Sequence, residues 1–338
     1  MKTEFKSGLI LPEVERETDY LFLGGQLDRV KILPGGDWRP YLPTDEAQAT
    51  RVFDPYNCTN MSFNNIVESI QILLMLMANA DPDIKLILEQ LDCLDENGHP
   101  NFSDRALAKM SGTISGRGNS MDAVFDAVRV YGLVGEKFWP KTDQMGQEEF
   151  YKEVPQDVKD RALKFLEYFE FGYESLPYAN FMVKYPTEAS LNEALEYSPL
   201  WVCVDGNYEF DEDGRVGMMG KAISYNHATT LVAPGHWVFD SYEPFLKQFV
   251  ADYKFGYVKS IHIKKKRPML YKVKNQPALY ASSKEEKVMI PFADGVISGG
   301  KLFKALYGVD DYKTLPKITV DSVDDLPYPI ATYSFLTQ

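Results

Sequence analysis

The chain has 338 residues, of which 45% are hydrophobic, 25% charged and 13% aromatic. This is a globular composition that excludes a disordered chain, and the length suits roughly two compact units of ~150 residues plus extensions. With 36 basic and 49 acidic residues the net charge is -13, a field that repels polyanions and excludes nucleic acid as the main ligand.

Residues 1–50 read as an extended arm with short strands: they carry Gly24-Gly25, Gly35-Gly36 and prolines at 34, 40 and 43, and no helical pattern. The start, MKTEFKSGLILPEVE, lacks the apolar stretch of a secretion signal. From Asn57 the pattern changes. Met61, Ile66, Ile70, Leu73, Leu74 and Met77 recur at helical spacing until Asp81-Pro82, which predicts a long, mostly buried helix. Its apolar run Ile72 to Ala78 is the longest in the chain and too short for a membrane span. Further helices are predicted from Ser103 to Met110, from Ser120 to Tyr131 with Gly132 ending it, over 156–174 and over 188–197.

After Pro199 the texture is strand and turn: LWVCVDG, a hairpin YEF-DEDG-RVGMM, NHATTLVAPG, HWVFDSY and FGYVKSIHI. A helical half followed by a β half predicts an α+β fold and not a doubly wound sheet. Residues 264–338, rich in Lys, Pro and Asp, read as a separate extension with a few strands. The basic run Lys264 to Arg267 at its start is read as a solvated strand end.

Cys58, Cys93 and Cys203 form no even framework and no C-x-x-C spacing, so they are read as free thiols in a reducing compartment. Asn57 is a good N-cap residue, which sets Cys58 in the first turn of the long helix. There the unpaired N–H groups and the positive end of the dipole favour a thiolate and can hold an oxyanion. The bland alternative is a buried structural cysteine.

Four histidines are available as a partner. His99 lies in the turn NGHPN, His262 alternates within a strand, and His236 is a loop residue before Trp237, a surface packing contact or a fallback base. His227 opens a strand directly after a turn, and Asp240 begins the turn DSYEP at the end of the next one. In an antiparallel pair the two can face each other, with the carboxylate orienting the imidazole toward the thiol.

These segments, taken in order, resemble the papain-like cysteine peptidase family over residues 45 to 263. CTNMSFNNIVE is similar to that family's nucleophile helix, with Glu68 ten positions after Cys58. FSDRALAKMSG and GNSMDAVFDAVRVYGLVGEKFWP are similar to its serine-led helix, glycine-rich substrate-binding loop and YG-ending helix. SPLWVCVDG, NHATTLV, WVFDSY and FGYVKSIHI resemble its β-lobe strand, histidine strand, orienting-residue strand and closing strand. Departures are Thr59 where the family has tryptophan, Asp240 for its orienting asparagine, and Tyr242 for the tryptophan beyond it. The family's oxyanion glutamine would fall on Val52, and Gln48 is the substitute across a longer loop. His227 and Asp240 also lie farther downstream than the ~130 to 150 residues usual for papain, as an insertion would produce.

The resemblance implies a helical lobe over 51–155, a β lobe over 156–263 and a cleft for an extended peptide. Cys58, His227 and Asp240 are implied as the catalytic set, with Gly118, Asn119 and Tyr242 contacting substrate. The arm GGQLDRVKILPGGDWRPYLPTDEAQATRVFD and the tail segment GGKLFKALYG resemble papain-like proteins of tailed bacteriophages. That implies a virion or tail protein, made in bacterial cytoplasm, whose two extensions contact other virion proteins. The competing readings are a silent structural virion protein, and an amidase or cross-linking acyl transferase on the same scaffold. FDEDGRVG and LDENGHPNFSD lack the ligand series of a calcium loop, and no zinc motif or nucleotide fingerprint occurs, so neither metal nor cofactor is expected.

Overall fold

The computed structural model describes residues 8–10, 31–45, 47–76, 82–176, 185–217, 225–266, 270–283, 288–292, 315, 317–328 and 330. Gly24-Gly25, Met218 and Met219 of the hairpin, Arg267, and the tail segment GGKLFKALYG lie outside them.

The long helix α1 (Cys58–Leu76) is buried at nearly every position from Cys58 to Leu73. A helix buried on all sides belongs at the centre of a core. Around it stand α2 (Pro82–Gln90), α3 (Asp104–Met110), α4 (Met121–Tyr131), the short α5 (Gln147–Phe150) and α6 (Gln156–Tyr168). Ser103 and Ser120 start α3 and α4 by accepting the N–H groups of Ala106 and Ala123, both at 3.1 Å. Pro82 opens α2, a helix that the sequence reading passes over because it takes the proline as a stop. Proline fits the first helical turn, where its missing N–H has no partner to lose.

The helix expected over 156–174 ends at Tyr168. Phe169–Ser175 is instead strand β1, paired antiparallel along its length with β8 (Gly256–Lys265). Phe169, Phe171 and Tyr173 alternate, so in a strand all three fall on one face. There they meet Phe63, Phe125 and Phe165.

After α7 (Glu188–Leu195) the chain builds β2 (Leu200–Val204), the hairpin β3 (Glu209–Phe210) and β4 (Val216–Gly217), β5 (His227–Ala233), β6 (Trp237–Phe239), β7 (Leu246–Gln248) and β8. Six strands form one antiparallel sheet in the order β1-β8-β2-β5-β6-β7. The fold is α+β, a helical half followed by an antiparallel β half, which is the arrangement that the papain-like resemblance implies. Among the described residues no helix is long and apolar enough to cross a membrane.

The C-terminal residues form a second sheet, β9 (Leu270–Val273), β10 (Leu279–Ser283), β11 (Val288–Phe292) and β12 (Lys317–Val320), in the order β11-β10-β9-β12. Read from sequence as a separate extension, it shares the core of the helical half: Tyr271, Val273, Met289, Ile318 and Val320 belong to the same apolar cluster as α1 and α2. Gln90 of α2 spans the junction, donating to Lys317 O (2.9 Å) and accepting from Thr319 N (2.7 Å). At its base, Asp83 of α2 takes Lys265 and the Tyr271 hydroxyl; Asp83 and Tyr271 are buried, and the Lys265 side chain is 5% exposed.

Removing one member of a buried ion pair strands the other. Lys265→Met therefore lowers stability by about 3 kcal/mol in urea unfolding; a loss below about 1 kcal/mol would mean that the junction is not held by this pair.

Candidate active site

Cys58 is the first residue of α1 and has no exposed surface. Asn57 before it caps the helix with its carbonyl, which accepts from Asn60 N (2.9 Å) and Met61 N (3.1 Å). The expected side-chain cap is not made: Asn57 Oδ1 and Nδ2 are buried and have no hydrogen-bond partner among the described residues.

Ser62, one turn on, ties the start of the helix to the sheet. Its hydroxyl donates to Cys58 O (2.6 Å) and accepts from the Trp201 indole of β2 (2.7 Å), while its carbonyl accepts from Thr230 Oγ1 of β5 (3.2 Å). The helix start is thus anchored on the strand that His227 opens.

His227 is buried, and its Nε2 lies 2.7 Å from Asp240 Oδ1, just past the end of β6. That contact leaves Nδ1 to face away from Asp240, and Cys58 is near enough to act on the ring's protonation. Burial disfavours the imidazolium, but the Asp240 carboxylate and Cys58 outweigh it and hold the His227 pKa up at about 10. Burial likewise opposes the Asp240 carboxylate, yet His227 and Lys247 hold its pKa well below the usual carboxylate range. The Tyr242 ring covers His227 at a centroid distance of 5.4 Å.

Gln48 is buried beside this group, but its amide hydrogens go to Asp54 Oδ1 (2.7 Å) and the Tyr242 hydroxyl (2.8 Å). A bound oxyanion would have to displace one of them. The Tyr242 hydroxyl is 2.5 Å from the other Asp54 oxygen. Burial, then Asp54, push the Tyr242 pKa far above its ordinary value.

Gly118 and Asn119 lie on the other side of Cys58. Asn119 Nδ2 donates to Ser111 and Thr113, and Thr113 Oγ1 donates to Asn60 Oδ1 of α1 (2.9 Å), so this loop is fixed to the same helix. Its backbone is already paired with the chain's own arm: Asn119 N donates to Gly8 O (2.9 Å) and Asn119 O accepts from Ile10 N (2.8 Å). On the far side of residues 8–10, Asn226 O accepts from the N–H groups of Gly8 and Leu9, both at 3.2 Å. Residues 8–10 therefore span the gap between the Gly118–Asn119 loop and the residue before His227. A Cβ on Gly8 would sit 2.8 Å from Tyr56 O and 2.9 Å from Cys58 Sγ. Gly118, at φ +82°, must also lack a side chain, because its Cβ would overlap Gly8 O.

The other histidines stand apart from this group. His236, expected at the surface, is buried, with Nδ1 2.9 Å from Val250 O; His262 pairs with Glu174 at 3.2 Å. Glu68 accepts the Phe102 N–H at 2.7 Å, tying α1 to the α3 approach. Cys93 and Cys203 are buried free thiols, and burial raises both pKa values, that of Cys93 to about 12.

Solved structures of cysteine proteases are similar to this chain. Xylellain, a cysteine protease from Xylella fastidiosa, is 14% identical, with 79% of this chain and 99% of that one covered and a TM-score of 0.49. The cysteine protease and lectin-like domains of Cwp84, a surface layer associated protein of Clostridium difficile, are 12% identical over 82% of this chain and 61% of that one, with a TM-score of 0.48. Digestive procathepsin L 3 of Tenebrio molitor larval midgut is 16% identical over 72% and 73%, with a TM-score of 0.41. No family model and no curated protein matches the chain.

Sequence reasoning picked out Cys58, His227, Asp240 and Tyr242, which the structure brings together. It missed Asp54, Lys247, Tyr208 and the seat of Gly8. Asp54 had a faint signal in its closeness to Cys58; the others sit in short strands and loops without a motif.

The His227–Asp240 pair predicts a pH signature. A histidine whose pKa is raised by folding contributes stability that is complete below about 6.5 and is lost as the pH rises toward its folded value. The difference in melting temperature between wild type and Asp240→Asn should thus be widest at pH 5–6 and narrow steadily toward pH 10. A pH-independent difference would contradict the pairing.

Proposed function

We propose that the chain is a papain-like cysteine peptidase, with Cys58 as nucleophile, His227 as base and Asp240 as the group that orients the ring. The observation that carries this reading is the 2.7 Å contact of Asp240 with His227 Nε2, which leaves Nδ1 available to Cys58, close enough to raise the ring's pKa. His227 takes the Cys58 proton, the sulfur attacks a peptide carbonyl, and the Cys58 N–H at the start of α1 helps hold the oxyanion. His227 then protonates the leaving amine, and water hydrolyses the thioester. The backbone of Gly118 and Asn119 pairs with the substrate chain, as it does with residues 8–10.

The arm must leave before substrate enters, so this form is latent. Gly8 also does not offer its carbonyl to the sulfur: that carbonyl is held by Asn119 N–H at 2.9 Å, and the side of its Cα where a Cβ would project faces the sulfur. The resemblance of arm and tail to phage-encoded papain-like proteins supports a virion or tail setting with other virion proteins as partners. The complete burial of Cys58 and the engaged Gln48 amide favour, as second reading, a silent structural virion protein on the same fold.

An epoxysuccinyl thiol probe at neutral pH, read by intact mass, separates the two. Gly8→Ala forces the arm off Tyr56 O and Cys58 Sγ, and should speed single labelling at Cys58 by about tenfold or more over wild type. Adding His227→Ala should return the rate to that of an ordinary thiol. Labelling of Gly8→Ala that is indifferent to His227, or centred on Cys93 or Cys203, would leave the structural reading.

A further inference from the structure

Beneath the His227–Asp240 pair lies a buried lysine that the proposed mechanism does not use. Lys247 stands on β7, an edge strand, between the exposed Leu246 and the half-buried Gln248, and its side chain is 1% exposed. Its Nζ lies 2.9 Å from Asp240 Oδ2, donates to Tyr242 O at 3.0 Å, and donates to the Tyr208 hydroxyl. An ammonium has three hydrogens, and these acceptors take all three. The Tyr208 ring also faces the ammonium at 4.7 Å, and its hydroxyl lies 3.3 Å from Asp240 Oδ2. Asp240 is saturated in the same way: Oδ1 serves His227 and the Ser241 N–H (2.7 Å), while Oδ2 serves Lys247 and Tyr208.

The charges in this chain alternate. Once Cys58 has given its proton to His227, the sulfur, the imidazolium at 227, the carboxylate at 240 and the ammonium at 247 sum to zero. Without the lysine, a buried carboxylate would leave one net negative charge in a site from which water is excluded. That arrangement is costly and would make His227 hold its proton too tightly to give it to a leaving group.

We propose that Lys247 is a positioning residue for the reaction: it fixes the far oxygen of Asp240 and cancels its charge, so that Asp240 and Lys247 together act on His227 as a neutral acceptor would. The inference rests on His227 being the base.

Among the described residues, three tyrosines and Asp54 also face this chain. Tyr208 has Tyr253 behind it, and Tyr242 has Asp54 behind it. Burial lifts all three phenols well above their ordinary pKa, so none ionises near the range in which His227 titrates.

The test is NMR titration of the His227 ring in the full-length chain, with its signals assigned from His227→Ala. Relative to wild type, Lys247→Met should raise the His227 midpoint by about one to two pH units, and Asp240→Asn should lower it. The double variant, Asp240→Asn with Lys247→Met, should return it toward wild type. If Lys247→Met does not fold, the comparison of Asp240→Asn with the double variant reads the same charge, and removing the lysine must again raise the midpoint. A midpoint unmoved by loss of Lys247 in either background would overturn the proposal. The readout needs no turnover, so a failure of the peptidase reading, seen as epoxysuccinyl labelling that ignores His227, is a separate result. In the Gly8→Ala background, labelling should follow the ring: slowed by either single substitution and partly restored by the double.

Discussion

The seat of α1 on the sheet is the constraint on which the site depends. Cysteine and histidine come from opposite halves of the fold and from distant parts of the chain, so no local preference brings them together. Ser62 does much of this through three hydrogen bonds, to Cys58 O, to the Trp201 indole and, through its carbonyl, to Thr230. Phe63 beside it packs edge-on to Trp201 at 5.4 Å. Buried polar contacts of this kind fix position more than they add stability, because leaving any of them unmade is expensive. The same helix fixes the Gly118–Asn119 loop through Asn60 and Thr113, so the loop and the histidine strand both take their position from one rigid element.

Electrostatics set a second constraint. A carboxylate as deeply buried as Asp240 is tolerated only when its lone pairs are filled and its charge answered. His227 answers it on one side and Lys247 on the other. The alternation of charge runs from His227 on β5 through Asp240 to the edge strand of the sheet, so the short strand β7, which contributes little to the core, carries one end of the site. The arm adds a third element, a backbone segment whose fit over Cys58 depends on a missing side chain at residue 8.

Much of this was legible in the sequence, for identifiable reasons. Ser103 and Ser120 announce α3 and α4, and the apolar spacing after Asn57 announces α1, because capping and periodicity are local. Cys58, His227 and Asp240 emerge from the order of segments. What stayed hidden is tertiary. The sequence over 156–174 hides a change of period at Phe169, where an amphipathic helix runs without a break residue into an alternating strand. Pro82 is ambiguous, since it can stop one helix or start the next. Lys247 looks like any lysine between a leucine and a glutamine, and only the register Val238↔Lys247 turns it inward. Gly8 carries no local signal, because the need for a glycine comes from Tyr56, Cys58 and Gly118.

The proposed peptidase function turns on a covalent acyl intermediate formed by Cys58 with the help of His227. The most direct measurement is rapid acid quench of the Gly8→Ala chain with an activated peptide ester, followed by peptide mapping. The account predicts a transient acyl adduct on Cys58 that decays to free acid, takes up one oxygen atom from labelled water, and is lost with His227→Ala. Absence of any adduct, or an adduct on another residue that forms equally well without His227, would contradict it.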